Sequence, residues 1–234
     1  MKRLPLLCAL CVSVVHSAPA LNASENTLLL AGHWQLSLAP ATTEKTETYP
    51  DAIALPGTLD QAGKGESAAP NIIELNRRVT FNGTAWFQRD ITLPENWRGA
   101  RVELTLERTR LTRVFLDGQL VATNNSLSTP HRATLLENAT PGTRRLAIAV
   151  NNDPKNYPMN FSHVWSDRIQ TNWNGILGQI TLTAHPPVSL AGAQLFPNLK
   201  TRSLEIQLTT RNTTPSPANA THAPQINNQP PHTF

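Results

Sequence analysis

Short runs in which apolar and polar residues alternate with a period of two recur along most of this chain, and turn residues separate them. Alternation of this kind sends one row of side chains to each face of a pleated strand. The clearest cases are Ala100 to Glu107, with Val102, Leu104 and Leu106 facing in, and Arg144 to Val150. Gly32 to Leu38 places Trp34, Leu36 and Leu38 on one face, and Ala85 to Leu93 ends at Pro94. Thr112 to Leu116 and Gln119 to Ala122 flank Asp117-Gly118, a pair suited to the positive φ values of a two-residue hairpin turn. Ile53 to Leu55, Arg132 to Leu136 and Gln179 to Thr183 are shorter candidates. No segment shows a convincing 3.6-residue apolar period. Many short strands at even spacing predict an all-β antiparallel sandwich, and at this length a jelly roll.

The ends of the chain differ from its middle. Lys2-Arg3, the apolar run Leu4 to Val15 and the small residues Ala18-Pro19-Ala20 have the layout of a secretory signal, cut after Ala20. That run is too short to span a bilayer. Cys8 and Cys11 lie inside the leader, so the mature chain would have no cysteine, no disulfide and no thiolate metal site. Export to the periplasm or the outside follows, with no membrane anchor after cleavage. The formal charge of the whole chain is +4 and Lys2 and Arg3 supply two of it; with no basic block, nucleic acid is not a partner. Seven histidines include no His-x-His or His-Glu-x-x-His arrangement, so neither a metal nor another cofactor is expected. Gly63-Lys-Gly65-Glu lacks the Gly-Lys-Ser/Thr ending of a phosphate loop and reads as part of a connector, Thr58 to Asn71. Ser189 to Phe196 and Leu204 to Thr209 read as two further strands, and the Pro-, Asn- and Thr-rich remainder as a tail that cannot form a core. The expected divisions are a leader at 1–20, a sandwich at 21–187, the start of a second sandwich at 188–211 and a disordered tail at 212–234.

The stretch from His163 to Gly178 is where flat apolar faces and hydrogen-bonding groups concentrate. Trp165 and Trp173 supply the faces; His163, Asp167, Gln170, Asn172 and Asn174 supply donors and acceptors. A sugar needs both, because its C–H face stacks on an aromatic ring while its hydroxyls require fixed partners. Those seven residues are the candidate substrate-binding set. The same composition also suits a surface loop anchored by two tryptophans. Arg89, between inward Phe87 and Ile91, is expected to meet a structural partner such as a buried carboxylate, and His131 to be satisfied by a backbone group.

Several of these pieces, in this order, resemble the amino-terminal sugar-binding domain of glycoside hydrolase family 2, which includes β-galactosidases, β-glucuronidases and β-mannosidases. They are Gly32-His-Trp-Gln-Leu36, Leu55-Pro-Gly-Thr-Leu-Asp60, Ala85-Trp-Phe-Gln-Arg89 and Val114-Phe-Leu-Asp-Gly118. Thr129-Pro-His131 and Gln170 to Gly178 are similar to a branch whose loop reads Gln-Thr-Asn-Trp-Asn-Gly-Ile. The resemblance spans about residues 30 to 185. It implies a galactose-binding-domain-like jelly roll, followed here by the first strands of an incomplete immunoglobulin-like sandwich. It also implies that catalysis belongs to a (β/α)₈ barrel of about 250 residues, a partner for which this chain has no room. That barrel carries two glutamates about 5 Å apart. No Asn-Glu dipeptide, the family's mark at the acid/base, occurs here, and no catalytic residue is assigned. The better-known galactosidases and glucuronidases carry an aspartate six residues before the glycine matching Gly175; Ile169 stands there in this chain, and Asp167 two residues earlier.

Two functions are therefore expected. One is the carbohydrate-binding part of a family 2-like glycoside hydrolase, inactive without the barrel. The other is a stand-alone exported carbohydrate-binding module, with a ligand-free scaffold as the third and plainest option.

Overall fold

A computed structural model describes residues 26–67, 78–156 and 172–217. Regular structure begins with β1 (Thr27–Leu29), β2 (Gly32–Ala39), β3 (Asp51–Leu55) and β4 (Gly57–Thr58), then the short β5 (Glu66–Ser67) and β6 (Val79–Thr80). The long strands follow: β7 (Thr84–Leu93), β8 (Arg101–Arg108), β9 (Leu111–Leu116), β10 (Gln119–Asn124), β11 (His131–Leu136), β12 (Gly142–Asn151) and β13 (Gly175–His185). Finally come β14 (Val188–Asn198) and β15 (Ser203–Asn212). Among the described residues the only helical segments are single 3₁₀ turns at Glu95–Trp97 and Pro154–Asn156.

The strands up to β13 form one unit and β14 and β15 belong to another. In the first, a six-stranded sheet runs β10-β9-β12-β7-β2-β3, and a five-stranded sheet runs β1-β13-β8-β11 with β4 attached to β13. All neighbours pair antiparallel. The inner rows of both sheets meet in one core. Leu36, Phe87, Leu146, Ile148 and Val150 come from the larger sheet, and Val102, Leu104, Ile180 and Leu182 from the smaller. Fully burying a side chain of this size contributes about 1.5–3 kcal/mol, so this shared layer is what holds the two sheets together as a β-sandwich. The period-two alternation of β2, β7, β8, β12 and β13 supplies it.

The Asp117-Gly118 turn has the expected backbone, φ 49° at Asp117 and 81° at Gly118. The turn is also tied to β12. Asp117 N–H donates to the Arg145 carbonyl (2.8 Å), and its carboxylate accepts from Arg145 N–H (2.8 Å) and Arg144 Nη1 (3.1 Å).

Four local expectations change. Leu38 shares the parity of Trp34 and Leu36 but is 36% exposed, because β2 is nearing its end there and no longer faces the core. The strand expected at Gln179 starts at Gly175 instead, absorbing the glycine-framed Ile176-Leu177 through a bulge before Ile180, with Gly178 at φ 71°. The connector after Thr58 is partly regular: Glu66–Ser67 pairs with Val79–Thr80, and Lys64 bridges back to Asp51 at 2.5 Å. Arg89 does find a structural partner, but one made of carbonyls. It donates to Leu30 O at 2.9 Å and lies 5.3 Å from the Trp34 ring centre.

The second unit contributes a two-stranded ribbon, β14 with β15. Its register puts Ala193 opposite Leu208, Leu195 opposite Ile206 and Pro197 opposite Leu204, so over these three pairs one face is apolar. Leu195, Leu204 and Leu208 are exposed. β15 includes Asn212, and most of the expected tail, 218–234, lies outside the described residues, as does the leader.

Candidate functional site

The stretch singled out in the sequence divides at residue 171. His163, Trp165, Asp167 and Gln170 lie outside the described residues; Asn172, Trp173 and Asn174 are at one rim of the sandwich, where β13 begins.

Asparagines build this rim. Asn174 is 2% exposed; its Nδ2 donates to Val150 O at 2.9 Å, and its backbone carbonyl accepts from Leu59 N–H at 2.9 Å. Asn172 is also buried, and its Nδ2 donates to Asn82 Oδ1 at 3.0 Å. Asn152, at the end of β12, accepts from Gly83 N–H (3.0 Å) through Oδ1 and donates to Phe81 O (2.7 Å) through Nδ2. Asn151 donates to Ala41 O and Thr84 Oγ1, each at 3.0 Å. The amide side chain suits such work because it carries both donor and acceptor without a charge to desolvate. Together these bonds join the start of β7, the end of β12 and the start of β13.

Gly175 continues the clamp. Its residue pairs with Thr58 of β4, its carbonyl accepts from Thr109 Oγ1 at 2.9 Å, and its φ is 142°. A Cβ at this position would collide with the Gly57 carbonyl, so the close approach of β4 to β13 requires glycine.

Trp173 sits between the two buried asparagines and is only half-buried. The Arg110 guanidinium lies 4.6 Å from its ring centre, and Arg110 itself is buried. A guanidinium over an indole is a favourable cation–π arrangement and fixes the plane of the ring. Arg110 was not flagged by the sequence. It stands 63 positions from Trp173 in a plain Arg-Thr-Arg-Leu turn between β8 and β9, and only the topology brings the two together. The same holds for Asn82 and Asn152. The indole, guanidinium and amide groups of this rim can stack on a C–H face and bind hydroxyls; none of them is an acid, base or nucleophile at neutral pH.

His131, buried at the start of β11, bridges Ser126 O (2.7 Å, from Nε2) and Thr112 Oγ1 (2.8 Å, from Nδ1). Burial lowers its pKa, an effect opposed by the bond to Ser126. Its backbone partner is the one expected, and the hydroxyl is an addition.

No protein-family profile and no curated protein sequence matches the chain. Solved structures do. A β-glucuronidase of Faecalibacterium prausnitzii superposes with a TM-score of 0.60 at 21% identity, covering 84% of this chain and 37% of that one. A β-glucuronidase of an uncultured Clostridium gives 0.59 at 16% identity, covering 79% and 33%. That of Ruminococcus gnavus gives 0.59 at 15% identity, again covering 79% and 33%. The chain thus spans about a third of the length of these enzymes and shares the fold of that third. The resemblance drawn from the order of the sequence motifs and the likeness of the folds point to the same group of proteins.

Proposed function

We propose that this chain is an exported carbohydrate-binding β-sandwich of a glycoside hydrolase of the family 2 type, working beside a catalytic barrel that supplies the acid and the nucleophile. The observation that carries the reading is the fold shared with three β-glucuronidases over 79–84% of this chain. The rim supports it. Trp173 is held in plane by Arg110, and two buried asparagines fix the backbone on either side of it. In this reading Asn172 and Asn174 act chiefly by positioning. Trp173, with His163, Trp165, Asp167 and Gln170, faces the sugar. Cleavage of the leader after Ala20 would deliver the chain to the periplasm or the outside.

Two measurements test this. Purified chain incubated with nitrophenyl β-glucuronide, β-galactoside and β-mannoside should release no nitrophenol above the buffer rate; turnover at an enzyme-like rate would disprove the division of labour. Calorimetric titration with the matching oligosaccharides should show weak binding that Trp173→Ala weakens while the protein still melts cooperatively. If Trp173→Ala leaves binding intact, the rim is not the site. The second reading, a free-standing carbohydrate-binding module, draws on the closed core of the first unit, which needs no other strands to bury it. It predicts the same binding without any gain when a family 2 barrel is added.

A further inference from the structure

The solvent face of the six-stranded sheet holds a groove that no sequence motif indicated. Its floor is Trp86 and Gln88 of β7, Phe115 of β9 and Ala147 of β12; Tyr49 forms one wall and the Asp117-Gly118 turn the other. The hollow measures about 580 Å³. A neighbouring hollow of about 320 Å³ shares Gln88, Asp90 and Arg145 with it, so the depression continues over β2. Both volumes are within the usual range of small-ligand sites, about 300–1,000 Å³.

The groove's chemistry is specific. Trp86 and Phe115 pack with tilted rings, 5.3 Å between centres and 37° between planes, on a face where strands normally present polar residues to water. Together with Ala149 they form a small core of their own, against which Tyr49 packs. The segment carrying Tyr49 is tied down by Arg113, which donates to Thr43 O at 2.6 Å and lies 5.3 Å from the Trp86 ring centre. Burial pushes the Tyr49 pKa up to about 12, against a smaller pull from Arg145, so its hydroxyl is protonated at any physiological pH.

The charged groups of the larger hollow cancel in pairs: Lys45 with Glu47 (3.2 Å), Arg144 with Asp117 (3.1 Å) and Arg145 with Asp90 (3.1 Å); Arg89, which lines the smaller hollow, is turned to the carbonyls of Leu30 and Ala31. On the floor, Gln88 Nε2 donates to Gln35 Oε1 at 2.9 Å. Half-exposed ion pairs like these contribute little to stability, about 0–1 kcal/mol each. Planar amide, carboxylate and guanidinium groups lying side by side do match the vicinal hydroxyls of a pyranose, which need a donor and an acceptor at close spacing. A ligand with its own carboxylate would find no unpaired cation among these three pairs.

We infer that this groove is a second carbohydrate site, separate from the Trp173 rim, which takes a short neutral oligosaccharide lying across the strands. The ligand class rests on the carbohydrate reading above; the location does not.

Native electrophoresis of the full chain through gels containing galactomannan, xyloglucan or, as an acidic control, polygalacturonate tests this. At least one neutral polysaccharide should retard the wild-type protein. The Gln88→Ala/Arg145→Ala variant, altered only at side chains that reach solvent, should weaken retardation at least tenfold without moving the melting midpoint. Trp173→Ala should still be retarded. Retardation lost in Trp173→Ala but kept in Gln88→Ala/Arg145→Ala would overturn the groove site while supporting the rim. Retardation by polygalacturonate alone, or by none of the three, would also overturn it.

Discussion

Asn152 shows how one uncharged side chain can govern a rim. Both of its polar atoms are bonded to backbone groups of the 81–83 segment, and it is fully buried. Asn152→Ala would leave the buried Gly83 N–H and the part-buried Phe81 carbonyl without these partners, a cost of about 2 kcal/mol. A lowered urea midpoint should report that loss; a change under 1 kcal/mol would show that water replaces the amide. Acid acts through other single residues. Glu103 contacts Arg101 (3.0 Å), Arg132 (3.2 Å) and His185 (3.8 Å). Burial alone would raise its pKa, but the hydrogen bond and charge of Arg101, with His185 and Arg132, outweigh burial and hold it below the usual carboxylate range. Its stabilisation is therefore present above the unfolded value, about 4.3, and is lost as pH falls through the folded one. His185 is held below its ordinary value by burial and then by Arg101, against Glu103; His131 is lowered by burial. Both favour the neutral form when folded, so their contribution fades as pH drops below about 6.5. The urea midpoint should thus fall in two stages on acidification, and His131→Gln/His185→Gln should flatten the upper one. A midpoint that rises between pH 7 and pH 5 would refute the assignment.

Among elements, what a strand keeps local is what a sequence displays. The β9–β10 hairpin was legible because Asp-Gly and its flanking alternation are neighbours in the chain. β8 and β12 were legible because each carries a buried apolar row at every second residue, Val102, Leu104 and Leu106 in one and Leu146, Ile148 and Val150 in the other. β1 and β4 were not, since three-residue and two-residue strands exist only through their pairing with β13, far away in sequence. The same division separates the candidate site: the density of Trp and Asn near residue 173 was visible, while Arg110, Asn82 and Asn152 reach it only through topology. Glycines mark the contrast in cost. Gly118 has open space where a Cβ would go, so Gly118→Ala meets only the φ penalty, about 1 kcal/mol. Gly175→Ala adds a collision with backbone atoms of Gly57 and Thr58. It should cost about 3 kcal/mol or more, or separate β4 from β13, and abolish oligosaccharide binding at the rim. Comparable melting points for the two variants would show that β4 is dispensable.

At the scale of the whole molecule, the two units solve the burial problem differently. The sandwich closes a core between two sheets that both come from residues 27–185. The ribbon presents Ala193, Leu195, Pro197, Leu204, Ile206 and Leu208 on one face, and most of that face is in contact with water. A lone hairpin is marginal in water, and a contiguous exposed apolar strip is unusual on a soluble protein. The fold of residues 21–187 should therefore be self-sufficient, and the strip should be a property of the ribbon alone. A chain limited to residues 21–187 is expected to melt in one cooperative transition within a few degrees of the full chain, since it retains every strand of the shared core. It should also lose most of the fluorescence that the full chain induces in a dye sensitive to apolar surface. Leu195→Lys/Ile206→Lys in the full chain should produce the same loss without shortening it, which separates the effect of the apolar strip from that of length. If dye binding persists in both, the exposed apolar surface belongs to the sandwich instead, and the groove beside Trp86 and Tyr49 becomes its first candidate source.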